Sequence, residues 1–578
     1  MKILLLHPDD SLELGTWSAA RWDMAVDLGW SGRNTYSRQA GRFGFPVSSI
    51  YDLLDHHEHR CKMRELLALG LGQVVDSDSI DWWEVFSAYP YAQLEQLMLL
   101  SKLAEQIPAE AEVFATTSHF AVRALSLLLN REIKSFSPET KNGFEARARR
   151  YWKAALAFRP AQLAEIAFDK WDTDYRFRRH FTRALRVSST PAILLPSAYA
   201  NVTRAQVAYA RMLPHRRFLL VLTRRHGRIA DLPANVEARS LAAYAPRTSP
   251  AIGNEQVHLL ERWQNLQNDV FETDPVLSLA RKLGVFDGFA DFLKSGLGVR
   301  DAWREVFAQE PIAGVLSADE NNPYTRLPIL LARSRKLRTV FSDHGALNMS
   351  FAIRRPLSET FLARGDMARD YFVSWCGIPA ERVVVGAARD AGTPSAVSNR
   401  IENRERDWIV YYSEAYELLA GRTQDFYREL LPELCRLASR VNRKVVVKLH
   451  PFENFRRRKA LVARVLDPAQ LRLVELREGP MTPDLFARAW CSLTVESSVA
   501  AESTLNGVPC FLCSWFDAAW YEYGKQYAKF SAGYPLDSPQ RIREIPELLE
   551  KFRVTEAARH GLQATISPER LEAVLCGT

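Results

Sequence analysis

Between residues 444 and 513 the chain alternates short apolar runs with helical segments, and this alternation constrains its fold more than any other feature. The order is strand, His-Pro turn, helix, strand, helix, strand, Glu-Ser-Ser turn, helix, strand. Lys444-Val445-Val446-Val447-Lys448-Leu449 is a β-branched run that stops at His450-Pro451, and a Pro there suits the first turn of a helix. Cys491-Ser492-Leu493-Thr494-Val495 is a second apolar run; it stops at Glu496-Ser497-Ser498 and restarts as a helix through Val499 to Glu502. Strands alternating with helices imply a parallel sheet. Both polar turns then fall on its carboxyl edge, which is where open α/β sheets bind ligands.

The same pattern extends along the chain. Strands are expected at Lys2 to Leu6, Met24 to Leu28, Val113 to Thr117, Ala192 to Leu195, Phe218 to Leu222, Ala313 to Leu316, Thr339 to Phe341 and Arg382 to Val385. A helix follows at Phe120 to Leu129, another at Thr325 to Ser334, and a third at 364 to 376. Residues 135–185, rich in Arg, Trp and Phe at helical spacing, read as a helical insertion. From Gly386 to Ser398 the residues are small and include Pro394, which marks a linker and hinge near 387–400. The C-terminal unit then has strands near 408–412, 444–449, 471–475, 491–495 and 509–513. The expectation is an α/β chain of two Rossmann-like domains, 1–388 and 389–578, with the insertion in the first.

Composition narrows the function classes. Hydrophobic residues make up 47% and charged residues 25%, the balance of an ordinary soluble globular protein. The opening apolar run, Ile3 to Leu6, is shorter than the ~7 to 15 residues of a signal-peptide core. No apolar stretch approaches the ~20 residues that cross a bilayer, so membrane association would be peripheral. Seven scattered cysteines fit a reducing cytoplasm better than a disulfide framework. The net charge of +8 suits anionic ligands or a membrane surface, but the basic residues are dispersed. The run Arg147-Ala148-Arg149-Arg150-Tyr151-Trp152 reads as a solvated helix face, and nucleic acid is not an expected partner. Asp55-His56-His57-Glu58-His59 packs metal-ligand types together, but neighbouring positions on a helix point apart. Cys510-Phe511-Leu512-Cys513 lies in an apolar strand with no second pair at zinc spacing, so no metal site is expected.

The two polar turns supply the candidate ligand residues. His450 ends its strand on the same face as Lys448, where an imidazole can donate to a phosphate oxygen. Ser497 and Ser498 open a helix whose N–H groups and dipole favour an anion, although Ser498 as a plain N-cap explains the same residue. Glu502 lies four residues after Ser498 and so shares its helix face. Glu496 would orient the serines. Ser413 and Glu414 end the first strand of the C-terminal unit, ahead of a loop at 415–422 that could close over a phosphate. The candidate set for nucleotide or phosphate binding is Ser413, Lys448, His450, Pro451, Glu496, Ser497, Ser498 and Glu502.

Two Rossmann-like domains with phosphate-type turns in the second resemble the GT-B class of glycosyltransferases. The His-Pro turn at His450-Pro451 and the serine turn at Ser497-Ser498 resemble a motif pair of bacterial sialyltransferases, Kdo transferases and capsule polysaccharide biosynthesis proteins. The resemblance is strongest from Asn322-Pro323-Tyr324 through Asp343-His344-Gly345 to Pro509. It implies a cytoplasmic, metal-independent transferase, peripheral at the inner membrane if it touches membrane at all, with no cofactor beyond its nucleotide-sugar co-substrate. The donor would be CMP- or UDP-activated and the acceptor a surface polysaccharide or lipid-linked glycan. In such proteins an acidic residue at the place of Glu502 commonly holds the donor ribose. An inverting member needs a general base on the acceptor side, and Glu320 and His344, each following an N-terminal strand, are the candidates. Alternatives on the same fold are a nucleotide-sugar epimerase, which would carry a glycine-rich serine turn absent here, a polyol-phosphate transferase, and a non-catalytic assembly protein.

Overall fold

The computed structural model describes residues 1–6, 21–28, 44–117, 119–137, 188–246, 251–345, 354–388, 406–414, 423–450, 453–495, 497–516, 523–552 and 554–577. Its strands form three sheets, and every pairing within them is parallel.

The first sheet contains β1 (Lys2–Leu6), β2 (Met24–Asp27), β3 (Val47–Ser49), β4 (Glu112–Thr117) and β5 (Lys134–Ser137), in the order β3-β2-β1-β4-β5. The second contains β6 (Ala192–Ser197), β7 (Arg217–Leu222), β8 (Val236–Ser240), β9 (Ile312–Ser317), β10 (Arg338–Ser342), β11 (Thr360–Ala363) and β12 (Val383–Val385), in the order β12-β11-β10-β9-β6-β7-β8. The third contains β13 (Trp408–Tyr412), β14 (Lys444–Lys448), β15 (Val474–Arg477), β16 (Ala489–Thr494), β17 (Cys510–Cys513) and β18 (Tyr534–Leu536), in the order β15-β14-β13-β16-β17-β18. Each sheet starts at an inner strand, winds to one edge, then crosses back to build the other side. The reversals fall between β1 and β4, β6 and β9, and β13 and β16, and each opens a crevice at the carboxyl edge.

The central strands owe their place to uninterrupted apolar sequence. All five residues of β13 (Trp-Ile-Val-Tyr-Tyr) and all six of β6 are buried, as helices on both faces require. Val445, Val446 and Val447 of β14 are fully buried, each contributing about 1.5–3 kcal/mol relative to exposure. The chain is thus an α/β protein of three parallel, Rossmann-like sheets.

The N-terminal half differs in detail from expectation, because it carries two sheets. The short or polar strands Val47–Ser49, Lys134–Ser137 and Val236–Ser240 lie at sheet edges, where a strand needs no long apolar run. Residues 134–137, at the start of the expected helical insertion, form β5; the rest of that insertion, with the Arg147 to Trp152 run, lies outside the described residues. The first two sheets share one core, in which Trp263 stacks on Phe289 with ring centroids 3.9 Å apart. Gly296 is required there, because a Cβ would fall 2.3 Å from the Trp82 ring. Buried Arg300 ties the layers together through Asp76 and Glu255, each at 2.8 Å.

The third sheet is joined to the second from both ends of its unit. Ala387 and Ala388 are buried, and Ala387 exchanges backbone hydrogen bonds with Ala564 and Ile566. Residues 389–400 of the expected hinge lie outside the described residues. The last helix, Pro568–Cys576, returns to the second sheet, where Leu571 and Leu575 share a core with Leu316 and Val340. Among the described residues no helix is long and apolar enough to cross a membrane.

Candidate functional site

The two turns singled out in the sequence flank the crevice of the third sheet. β13 lies between β14 and β16, so the loops after these three strands bring Ser413-Glu414, His450 and Ser497-Ser498 to one carboxyl edge. Pro451 and Glu496 lie outside the described residues.

A buried carboxylate that sequence reasoning passed over organises the His-Pro turn. Glu453 accepts the backbone N–H of His450 at 2.7 Å through Oε2, and its Oε1 accepts Ser413 Oγ at 2.9 Å and Arg458 Nε at 2.6 Å. Ser413 Oγ also lies 3.0 Å from the Tyr427 hydroxyl. One side chain therefore fixes the ends of two adjacent strands relative to each other. Burial pushes Glu453 up from the usual carboxylate range, while the Arg458 guanidinium and the His450 N–H pull it down. A signal was present: an acidic residue three positions after His450 can reach back across one turn to the His450 N–H, ahead of the helix Phe455–Val465.

His450 is half-buried at the rim. Burial, reinforced by the Lys448 ammonium, holds its imidazole below its ordinary range, so the ring is neutral near pH 7. Lys448 is tied to the backbone at the end of its strand. Its buried ammonium donates to Leu449 O at 2.8 Å and Gly479 O at 2.7 Å, so it braces the end of β14 against the loop after β15.

On the other side of the crevice Glu414 accepts the Ser497 N–H and Thr494 Oγ1, both at 3.0 Å, tying β13 to the serine turn. Ser498 precedes the helix Val499–Leu505 without capping it by its side chain; its hydroxyl lies 3.4 Å from Glu502 Oε1. Burial pushes the Glu502 carboxyl up, and the nearby Arg364 guanidinium opposes it.

Arg364 belongs to the second sheet. It follows β11 and pairs with Asp343 Oδ2 at 3.3 Å, also donating to Asp343 O at 3.2 Å. Asp343 follows β10, so Asp343, Arg364 and Glu502 form a line of charge from the carboxyl edge of the second sheet to that of the third. Lys529 and Asp370, 2.7 Å apart, make an ion pair between the two units. The edges thus approach each other, as a site shared between two domains requires.

The two expected acceptor-side residues fare differently. The Nδ1 of half-buried His344 meets the Ala318 carbonyl; a carbonyl only accepts, so Nδ1 carries the proton and Nε2 is the basic nitrogen. Glu320 is turned inward, 1% exposed, and its two oxygens accept the N–H groups of Leu357 and Ser358 at 2.9 Å each. That carboxylate closes a loop and is not placed to take a substrate proton. Asp319 likewise accepts the N–H groups of Asn321 and Asn322. The acidic and histidine run at 55–59 is also structural in use: Asp55 caps the helix His56–Ala68 by accepting the Glu58 N–H, and Glu58 pairs with Lys62 and Lys102.

No protein-family profile matches the chain, and no curated protein matches it in sequence. Solved structures are similar at low identity. The UDP-GlcNAc 2-epimerase from Methanocaldococcus jannaschii is 14% identical with a TM-score of 0.44, over 67% of this chain and 99% of that one. A variant of the wall teichoic acid polymerase TagF is 11% identical with a TM-score of 0.39, over 72% and 97%. The MurG of Acinetobacter baumannii is 12% identical with a TM-score of 0.38, over 67% and 100%.

Proposed function

We propose that the chain is a nucleotide-sugar-dependent glycosyltransferase, with the donor nucleotide in the crevice of the third sheet and the acceptor on the second. The observation that supports this most is the convergence, at a sheet reversal, of Ser413, His450 and the Ser497-Ser498 turn, facing a second carboxyl edge through Arg364 and Glu502. His450, Ser497 and Ser498 would hold the donor phosphate with neutral hydrogen-bond donors, which strengthen as charge develops on the departing oxygen. Glu502 would accept from the ribose hydroxyls. His344, with Nε2 basic, would take the acceptor hydroxyl's proton as it attacks the anomeric carbon, and the nucleotide would leave as the phosphate anion. The donor is of the CMP or UDP type, the acceptor a surface polysaccharide or lipid-linked glycan, and the reaction runs in the cytoplasm or at the inner face of the membrane. No metal is needed in this scheme, because the phosphate charge meets protein donors.

The test is a thermal-shift panel of CMP, CDP, UDP, GDP and ADP on wild type and His450→Ala. A nucleotide at about a hundredfold excess over its Kd should add about 2.7 kcal/mol of stability to wild type and much less to the variant. No shift with any nucleotide would refute the reading.

A further inference from the structure

A cavity of about 350 Å³ lies between the first and second sheet units, away from the nucleotide crevice. Four guanidiniums line it, those of Arg64, Arg326, Arg354 and Arg355, and Glu84 is the one carboxylate among its lining residues. Arg354 is only 5% exposed, yet among the described residues just one of its nitrogens has a partner: Nη2 donates to Glu84 O, while Nε and Nη1 have none. Arg326, 2% exposed, donates to Glu320 O at 2.9 Å, Glu84 Oε1 at 3.2 Å and Arg355 O at 3.1 Å, and its Nε is also without a partner among the described residues. Arg64 reaches Trp375 O at 2.6 Å, and Arg355 stands exposed at the mouth.

Buried charge persists when it is paired, and of the carboxylates near Arg354 only Glu84 lines the cavity, whereas Glu320 and Asp319 accept backbone N–H groups. An arginine cannot relieve the imbalance by losing its proton, as a lysine or histidine would. Burial and the Arg326 guanidinium press Arg354 toward the neutral form more than Glu84, Glu320 and Asp319 offset, and a bound anion would relieve that cost. Planar guanidinium forks with unused N–H groups match the oxygens of a phosphate in number and geometry. We infer that this cavity is a second ligand site, for an oxyanion of the phosphate class, held by Arg64, Arg326, Arg354 and Arg355. The phosphate could be carried by a soluble molecule or by a lipid headgroup, and the chemistry of recognition is the same.

The experiment uses the full chain at constant ionic strength, with inorganic pyrophosphate as the soluble probe in calorimetric titration. Phosphatidylcholine vesicles with and without phosphatidic acid, in co-sedimentation, are the membrane probe. Arg355→Gln, an exposed substitution that leaves the core untouched, decides the result even if Arg354→Gln fails to fold. Saturable pyrophosphate binding that weakens about 10-fold or more in Arg355→Gln, with nucleotide affinity unchanged, supports the site and a soluble source. Binding only to phosphatidic acid vesicles, with the same dependence on Arg355, supports the site and a lipid source. Absence of saturable binding to either probe, or equal binding by wild type and variants, overturns the inference.

Discussion

Replacing Glu453 with Gln tests the construction of the site most sharply, because one buried carboxylate there holds a histidine turn, a strand end and a cation. Its three hydrogen bonds, at 2.6–2.9 Å, go to Arg458 Nε, Ser413 Oγ and the His450 N–H. The Gln side chain keeps one oxygen and turns an N–H₂ toward groups that are themselves donors. It also removes the Glu453 charge from beside Arg458, 6% exposed. Removing one partner of a buried ion pair costs about 3–5 kcal/mol. For a unit of the size that carries the third sheet, this is a fall of about 6–20 °C in melting temperature. Nucleotide affinity should fall with it, since the His450 backbone loses its anchor. Adding Arg458→Met to Glu453→Gln should recover part of the loss, because the stranded charge is then gone, and the double-mutant cycle should return a coupling of about 1–3 kcal/mol. Calorimetric melting of the four proteins, with nucleotide titration on each, reads all of these quantities. An unchanged melting temperature in Glu453→Gln, or fully additive losses, would refute the hub.

Further predictions concern protonation and the acceptor side. Because burial and Lys448 depress His450, acidification from about pH 7.5 to 5.5 in the presence of a phosphate ligand should draw a proton onto the ring, and affinity should rise by up to about 10-fold. Comparison with His450→Gln isolates the ring's part from titration of the nucleotide, and equal pH profiles would remove His450 from phosphate binding. Burial raises Glu502, so its charged form carries a cost that is present above its folded pKa and vanishes below the unfolded value of about 4.3. Glu502→Gln should therefore raise the melting temperature near pH 7, leave it unchanged near pH 4, and weaken nucleotide binding; a fall in stability at neutral pH would contradict this. His344→Ala should lower turnover about 100-fold with nucleotide binding intact, whereas Glu320→Gln, which can satisfy only one of the Leu357 and Ser358 N–H groups, should cost about 1–3 kcal/mol of stability and spare the chemistry. The opposite pattern in steady-state rates and melting would return Glu320 to the base role.

Much of this architecture was legible because parallel strands buried on both faces are written as apolar runs. β1, β6, β7, β13, β14 and β16 all read as strands from their residues alone, and the reading of 444–513 placed two turns on one edge. Edge strands such as Val47–Ser49 and Lys134–Ser137 escaped, since a strand covered on one side tolerates serine and lysine, and with them went the separation of the N-terminal half into two sheets. Strand ends were found, but the direction and employment of side chains at those ends were not. Lys448 and Glu320 have the right type and position for chemistry, yet backbone carbonyls take the one and backbone N–H groups hold the other. Arg364 and Glu453 matter through partners distant in sequence or hidden in a turn, contacts that only the folded chain reveals.

Hydrogen exchange with and without saturating nucleotide tests most directly whether the third sheet's crevice is the donor site. Peptides covering Ser413-Glu414, His450 to Glu453 and Val495 to Glu502 should gain protection together, while those of the first sheet, β1 to β5, should not change. Protection confined to the first sheet, or none in the three crevice segments with a nucleotide shown to bind, would contradict the account.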